Sequence, residues 1–102
     1  MAPELFSGQT YDGEKVDIFA LGVILFMMLT AMEPFHKADD LWHRRLLHNP
    51  IKTLEARKMD DQVDEDALDL ILKMIQMNAA DRCTMDEILG HKWFNKDVAN
   101  QN

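Results

Sequence analysis

The sequence predicts an all-α domain, and three observations carry the prediction. Leu68, Ile71, Leu72 and Ile75 repeat at helical spacing. Helix-start and helix-stop residues bracket the apolar runs. No stretch alternates apolar and polar residues convincingly enough for a strand.

Taken in order, Pro3 to Phe6 reads as a short helical turn with Pro near its start. Ser7 to Glu14, with two Gly and an Asp-Gly pair, reads as a loop. A helix is expected from about Lys15 to Ala31, stopping before Pro34. A second is expected over Ala38 to His48, ended by Asn49-Pro50. Ile51 to Val63 reads as irregular. Asp64, Glu65 and Asp66 suit the first turn of a third helix, where carboxylates meet the positive end of the helix dipole. Thr84, with Glu87 three residues on, is a capping box that opens a fourth helix through Leu89. Trp93 and Phe94 are then able to fold back on the core, and residues 95–102 form a polar tail expected to fray.

A chain of 102 residues is one ordinary domain or part of a larger one. Its 47% hydrophobic and 28% charged residues are a globular composition, not a disordered one. A net charge of −7 argues against nucleic acid or an anionic membrane surface as a partner, because both attract basic patches. Cys83 is the single cysteine, which excludes an internal disulfide framework and points to a reducing, cytoplasmic setting.

The segment Val16 to Phe35, "VDIFALGVILFMMLTAMEPF", is the most apolar of the chain. Its uncharged run, Ile18 to Met32, is fifteen residues long, short of the roughly 18 that a membrane helix requires. Asp17 and Glu33 flank it, and it lies inside the chain without a cationic lead, so it is neither a span nor a signal peptide. It reads as a core helix, apolar on nearly every face, that other elements must cover.

Self-contained chemistry is sparse. Starting at Asp60, the calcium-loop pattern wants Gly at its sixth place and Glu at its twelfth, and the sequence offers Glu65 and Ile71. His36, Asp40 and His43 would share a face if helix reached back to His36, but a wet helix surface is the better reading, as no fourth ligand is visible. His48 and His91 read as surface or cap residues. Met27, Met28, Met74 and Met77 read mainly as core fillers, although Met-rich faces also serve as adaptable binding surfaces. No Gly-x-Gly or Walker pattern, Gly-x-Ser-x-Gly or His-Glu-x-x-His occurs. From these residues alone, no catalytic centre and no resident metal or cofactor is expected.

Three stretches, in this order and at fitting intervals, resemble the end of a eukaryotic protein kinase domain of the Ser/Thr type. "MAPE", Met1 to Glu4, resembles the Ala-Pro-Glu motif that closes the activation segment. "VDIFALGVILFMML" resembles the buried central helix of the large lobe, and "DRCTMDEILGHKWF" its last helical region. "HKWF" and the surroundings of "EPF" loosely resemble the calcium/calmodulin-dependent group. The resemblance covers residues 1–94 and implies the C-terminal helical subdomain of the large lobe, about four helices.

It also implies roles. Glu4 should form a buried ion pair with Arg82, fastening the activation segment to the base of the lobe. Asp17 should accept backbone hydrogen bonds from the catalytic loop. Ile24 and Met28 should support the stacked apolar residues that run up to ATP. The departures are small: Ala20 stands where Ser is common, Asn78-Ala79 replaces Asp-Pro, and Lys92 replaces a frequent Pro. Met27 lies where some arginine-directed members carry an acid, so basic substrates are not expected.

The family transfers the γ-phosphoryl of ATP, with Mg²⁺, to protein Ser or Thr. Its Gly-rich loop, strand Lys, His-Arg-Asp and Asp-Phe-Gly motifs all precede Ala-Pro-Glu, so the expectation is a piece of a longer domain, with Met1 an internal residue, inactive alone. An apolar patch should then be exposed where the rest of the lobe, the expected partner, belongs. The alternative is a non-catalytic module that binds a kinase or scaffold through the helix around Leu41, Trp42 and Arg45.

Overall fold

The computed structural model describes residues 2–7 and 12–95, at Phe6 and Ser7 the backbone only. Its longest element, α2 (Gly13–Thr30), starts two residues earlier than the sequence suggests. The Asp-Gly pair read as a turn is a cap: the Asp12 carboxylate accepts from the Glu14 N–H at 2.9 Å. Ala31 then ends the helix in the left-handed region at φ 61°, its N–H bonded to the Met27 carbonyl at 2.7 Å.

Before α2 lies α1 (Glu4–Ser7). After it, α3 (Leu41–His48) starts three residues later than expected, because Asp40 caps it and turns the chain. Asp40 Oδ2 accepts from the His36 and Lys37 N–H groups at 2.9 and 3.1 Å, and Oδ1 from His43 N–H at 2.9 Å. Most of α4 (Pro50–Ala56) falls in the stretch from Ile51 read as irregular. The Asn-Pro pair both ends α3 and starts α4, since Pro is well suited to a first helical position. Thr53 ties the two helices, its hydroxyl donating to the Arg45 and Asn49 carbonyls at 3.0 and 2.8 Å.

Asp64 caps α5 (Glu65–Met74), accepting from the Ala67 N–H at 2.7 Å. A 3-10 turn (Ala79–Asp81) leads to α6 (Met85–Leu89), whose Thr84–Glu87 capping box is closed in both directions at 2.9 and 3.1 Å. A helical turn follows over residues 92–95. Among the described residues every regular element is helical. The expected polar tail lies outside them beyond Asn95.

The core forms where α2 packs on α5. Phe19, Phe26, Phe35, Leu46, Ile71 and Ile75 share one buried cluster, and Ile18, Leu70, Met74 and Ile88 a second. Burial of each large side chain contributes about 1.5–3 kcal/mol. Gly22 sets the approach of the two helices. A Cβ there would lie 2.8 Å from both Ile75 Cγ2 and Met74 Cβ, and the Met74 contact is too close to backbone to swing aside. Gly22→Ala is therefore expected to destabilise the fold by about 1–3 kcal/mol through overpacking, read as a lower urea midpoint with an unchanged slope.

Among the described residues α2 is covered on one side only, and an apolar patch is exposed on the other, as the sequence leads one to expect. Principal extents of 48 × 32 × 20 Å leave about two helix layers across the thin direction. Ile18, Phe19, Gly22 and Phe26 are buried, whereas Leu21, Ile24, Met27 and Met28 are exposed.

Candidate functional site: a buried arginine node and an open helix face

Arg82 sits between α1, α2 and the end of α5 with its side chain wholly buried. A guanidinium has five N–H donors in a fixed plane, and this one uses all five. Nη1 donates to Glu4 Oε2 at 2.7 Å and to the Lys15 carbonyl at 3.0 Å. Nη2 donates to Glu4 Oε1 at 2.7 Å and the Met77 carbonyl at 3.3 Å, and Nε to the Gln76 carbonyl at 2.8 Å. The cation also lies 4.8 Å from the centre of the Phe19 ring.

The paired bonds from Arg82 hold the Glu4 carboxyl below the usual carboxylate range. Lys15 completes the node by donating from Nζ to the Arg82 carbonyl at 2.9 Å. Nothing in the sequence pattern singled out Lys15, because its contact spans 67 residues.

Asp17 is exposed on α2. It lies in the second turn rather than at the head of the helix, and no described residue donates to its carboxylate. Ile24 and Met28, one turn apart, are 50% and 77% exposed. With Leu21, Met74, Leu89 and Phe94 they line an apolar groove of about 240 Å³. Of the methionines read mainly as core, Met74 is buried while Met27 and Met28 face outward.

Trp42 is half-buried beside Leu41, which is 53% exposed. The Arg45 and Arg57 guanidinium carbons stand 5.5 and 5.2 Å from the Trp42 ring centre. Arg57, unforeseen from the sequence, is held by the Pro34 and Glu33 carbonyls, which accept from Nη1 and Nη2 at 2.7 Å each.

The His36, Asp40 and His43 trio does not converge. Asp40 is occupied by its cap, and His43, read as a wet surface residue, is fully buried. His43 Nδ1 accepts from the Asp39 N–H at 2.8 Å, so Nε2 carries the proton and donates to the Ile75 carbonyl at 2.7 Å. Its ring stacks on Phe35 at 4.2 Å. His91, read as a surface or cap residue, is also largely buried and meets Asp69 Oδ2 at 2.7 Å. Lys73 Nζ approaches the same oxygen at 3.1 Å.

Burial pushes the His43 imidazole below its ordinary value, overriding the Ile75 carbonyl and the nearby Asp40 and Asp39 charges. Below the unfolded-state pKa of about 6.5 the unfolded chain binds a proton that the folded chain does not. Stability contributed by neutral His43 is therefore complete above that value and lost as pH falls toward the lower folded pKa. The urea midpoint is expected to drop between about pH 7.5 and pH 5.5, and His43→Gln, less stable at the outset, to show a shallower drop.

Among the described residues no helix is long and apolar enough to cross a membrane. A profile of the protein kinase domain matches residues 1–94 of the chain. The chain is 42% identical over 93 residues to a probable serine/threonine-protein kinase of Dictyostelium discoideum, covering 91% of this chain and 11% of that protein. To the SNF-related serine/threonine-protein kinase of Homo sapiens it is 35% identical over 93 residues, covering 91% of this chain and 12% of the other. To the serine/threonine-protein kinase DCLK2 of Ailuropoda melanoleuca it is 33% identical over 108 aligned positions, covering all of this chain and 13% of the relative. The chain thus spans about a tenth of the length of these curated relatives.

Proposed function

The chain belongs to the protein kinase domain family, and from that premise we propose that it is the helical platform on which the catalytic part of a Ser/Thr kinase is seated. The observation that carries this reading is the one-sided cover of α2. A helix that is apolar all round is stable when packed all round, and here Leu21, Ile24 and Met28 are left toward water. The remainder of a kinase domain is the occupant that the family supplies for that face. In this reading Ile24 and Met28 support its apolar stack and Asp17 accepts hydrogen bonds from its catalytic loop. The Glu4–Arg82 pair fastens the end of the activation segment to the platform.

The assembled domain transfers the γ-phosphoryl of ATP to protein Ser or Thr, and this segment alone does not. In this reading ATP and Mg²⁺ are held by the remainder of the domain. Among the described residues no group of three or more His, Cys, Asp or Glu is placed to hold a metal ion, and the α2 groove is lined by apolar side chains. No step of the transfer is assigned to them. Cys83 is a buried free thiol, in keeping with a cytoplasmic setting.

The test is thermal unfolding of the chain with and without Mg·ATP, together with its oligomeric state across a concentration series. No nucleotide-dependent shift and concentration-dependent association are expected. Stabilisation by nucleotide would overturn the inactivity, and a strict monomer with sharp unfolding would overturn the open face.

A second reading, a non-catalytic module that binds a kinase or scaffold, is favoured by one observation. Leu41 is 53% exposed, and beside it the Arg45 guanidinium meets, among the described residues, only the Trp42 ring.

A further inference from the structure

The charges of the chain are segregated. Residues 37–58 carry six of the eleven Lys and Arg and three of the eighteen Asp and Glu, a balance of +3, which leaves −10 on the remainder to reach the net −7. Two of those three acids are engaged locally, Asp40 on the backbone N–H groups it caps and Asp39 with Arg44 at 3.6 Å. The stretch forms α3 and α4, which pack on each other.

Trp42 marks the end of this basic face where two cations meet. Arg57 is turned in toward the Pro34 and Glu33 carbonyls. Arg45 is exposed, and among the described residues its guanidinium meets only the Trp42 ring. Alongside runs a groove of about 500 Å³ with Met27, Ala31, Met32 and Trp42 among its lining. Its one acid, Glu33, faces His36 at 3.4 Å. The combination is a slot for an apolar side chain with guanidinium groups at its Trp42 end.

We propose that the α3–α4 face docks an acidic peptide segment of another protein, with one large apolar side chain in the groove and its carboxylates against Arg45 and Arg57. The proposal rests on the docking reading of α3 and deepens it by naming the chemistry of the partner. Charge complementarity selects the occupant: a carboxylate meets cations here and like charge on the rest of the chain. Extended polyanions would overrun the basic face into that acidic surround.

The test is fluorescence anisotropy of the full chain with three labelled peptides of equal length, each holding one Leu among Asp/Glu, Ser/Gln or Lys residues. The acidic peptide is expected to bind roughly tenfold tighter than the neutral one, and to weaken as salt rises. Arg45→Glu should weaken it by a further factor on the order of ten while leaving the melting temperature in place. Equal binding of acidic and neutral peptides would leave apolar docking standing and overturn the acidic partner. Binding of none would overturn both. Unchanged acidic-peptide affinity in Arg45→Glu, or tighter binding of an oligonucleotide or of phosphatidylserine vesicles, would also overturn it.

Discussion

Arg82→Ala is expected to lower the stability of the chain by about 3–5 kcal/mol, among the largest effects of any single substitution. The size comes from what is left behind rather than from the attraction lost. Glu4, its side chain only 12% exposed, would keep its charge while losing the guanidinium that pairs with both its oxygens. The Lys15, Gln76 and Met77 carbonyls would each lose a donor in a part-buried setting. Glu4→Ala leaves the Arg82 cation with its three carbonyls and its place over Phe19, so it should cost somewhat less. The double variant should cost less than the sum of the two, since each single change already removes the pair. Arg82→Lys should recover little, because one ammonium cannot replace a planar, five-donor fork. Urea unfolding of the four variants settles the matter; a cost near that of a surface change would remove Arg82 as the anchor of the segment before α2.

Phe19→Ala is expected to cost about 3–5 kcal/mol by transfer loss and cavity formation. The ring is wholly buried and joins three parts of the fold. It meets Phe35 with ring centres 5.9 Å apart, presents edge contact to His43 at 5.4 Å, and faces the Arg82 cation at 4.8 Å. The loss should therefore reach beyond the cavity and loosen the segment between α2 and α3. Hydrogen exchange of the Asp39 amide, bonded to His43 Nδ1, reads that loosening directly. Phe19→Leu should recover a good part of the stability while leaving the exchange fast, because it restores volume without a ring face. Slow exchange in Phe19→Ala would mean that the His43 junction stands without this ring.

Much of the fold was legible in the sequence because its signals are local. The acids Asp64 to Asp66 announced the start of α5 through the helix dipole, although Asp64 is its cap rather than part of its first turn, and the Thr84–Glu87 box announced α6. Where two local signals coincide, the reading misfired. Asp12-Gly13 carries the marks of a turn and of a cap, and Asn49-Pro50 closes one helix while opening another. The histidines were misplaced for a different reason: a polar side chain goes inside only where partners await it. The partner of His43, the Ile75 carbonyl, lies 32 residues away, and that of His91, Asp69, lies 22 residues away.

By itself the sequence determined the helical class, the Thr84–Glu87 capping box, and an apolar run too short for a membrane and too apolar for a surface helix. Those properties follow from each residue's own conformational preference and hydration, which neighbours a few positions away can satisfy. Only the tertiary structure decided which side of α2 meets α5, that Gly22 allows the approach, that Arg82 spends all five donors, and that Ile24 and Met28 face water. A uniformly apolar helix carries no directional signal of its own. Its orientation is fixed by the close packing and hydrogen-bond satisfaction of segments distant in sequence, and these exist only once the chain has folded.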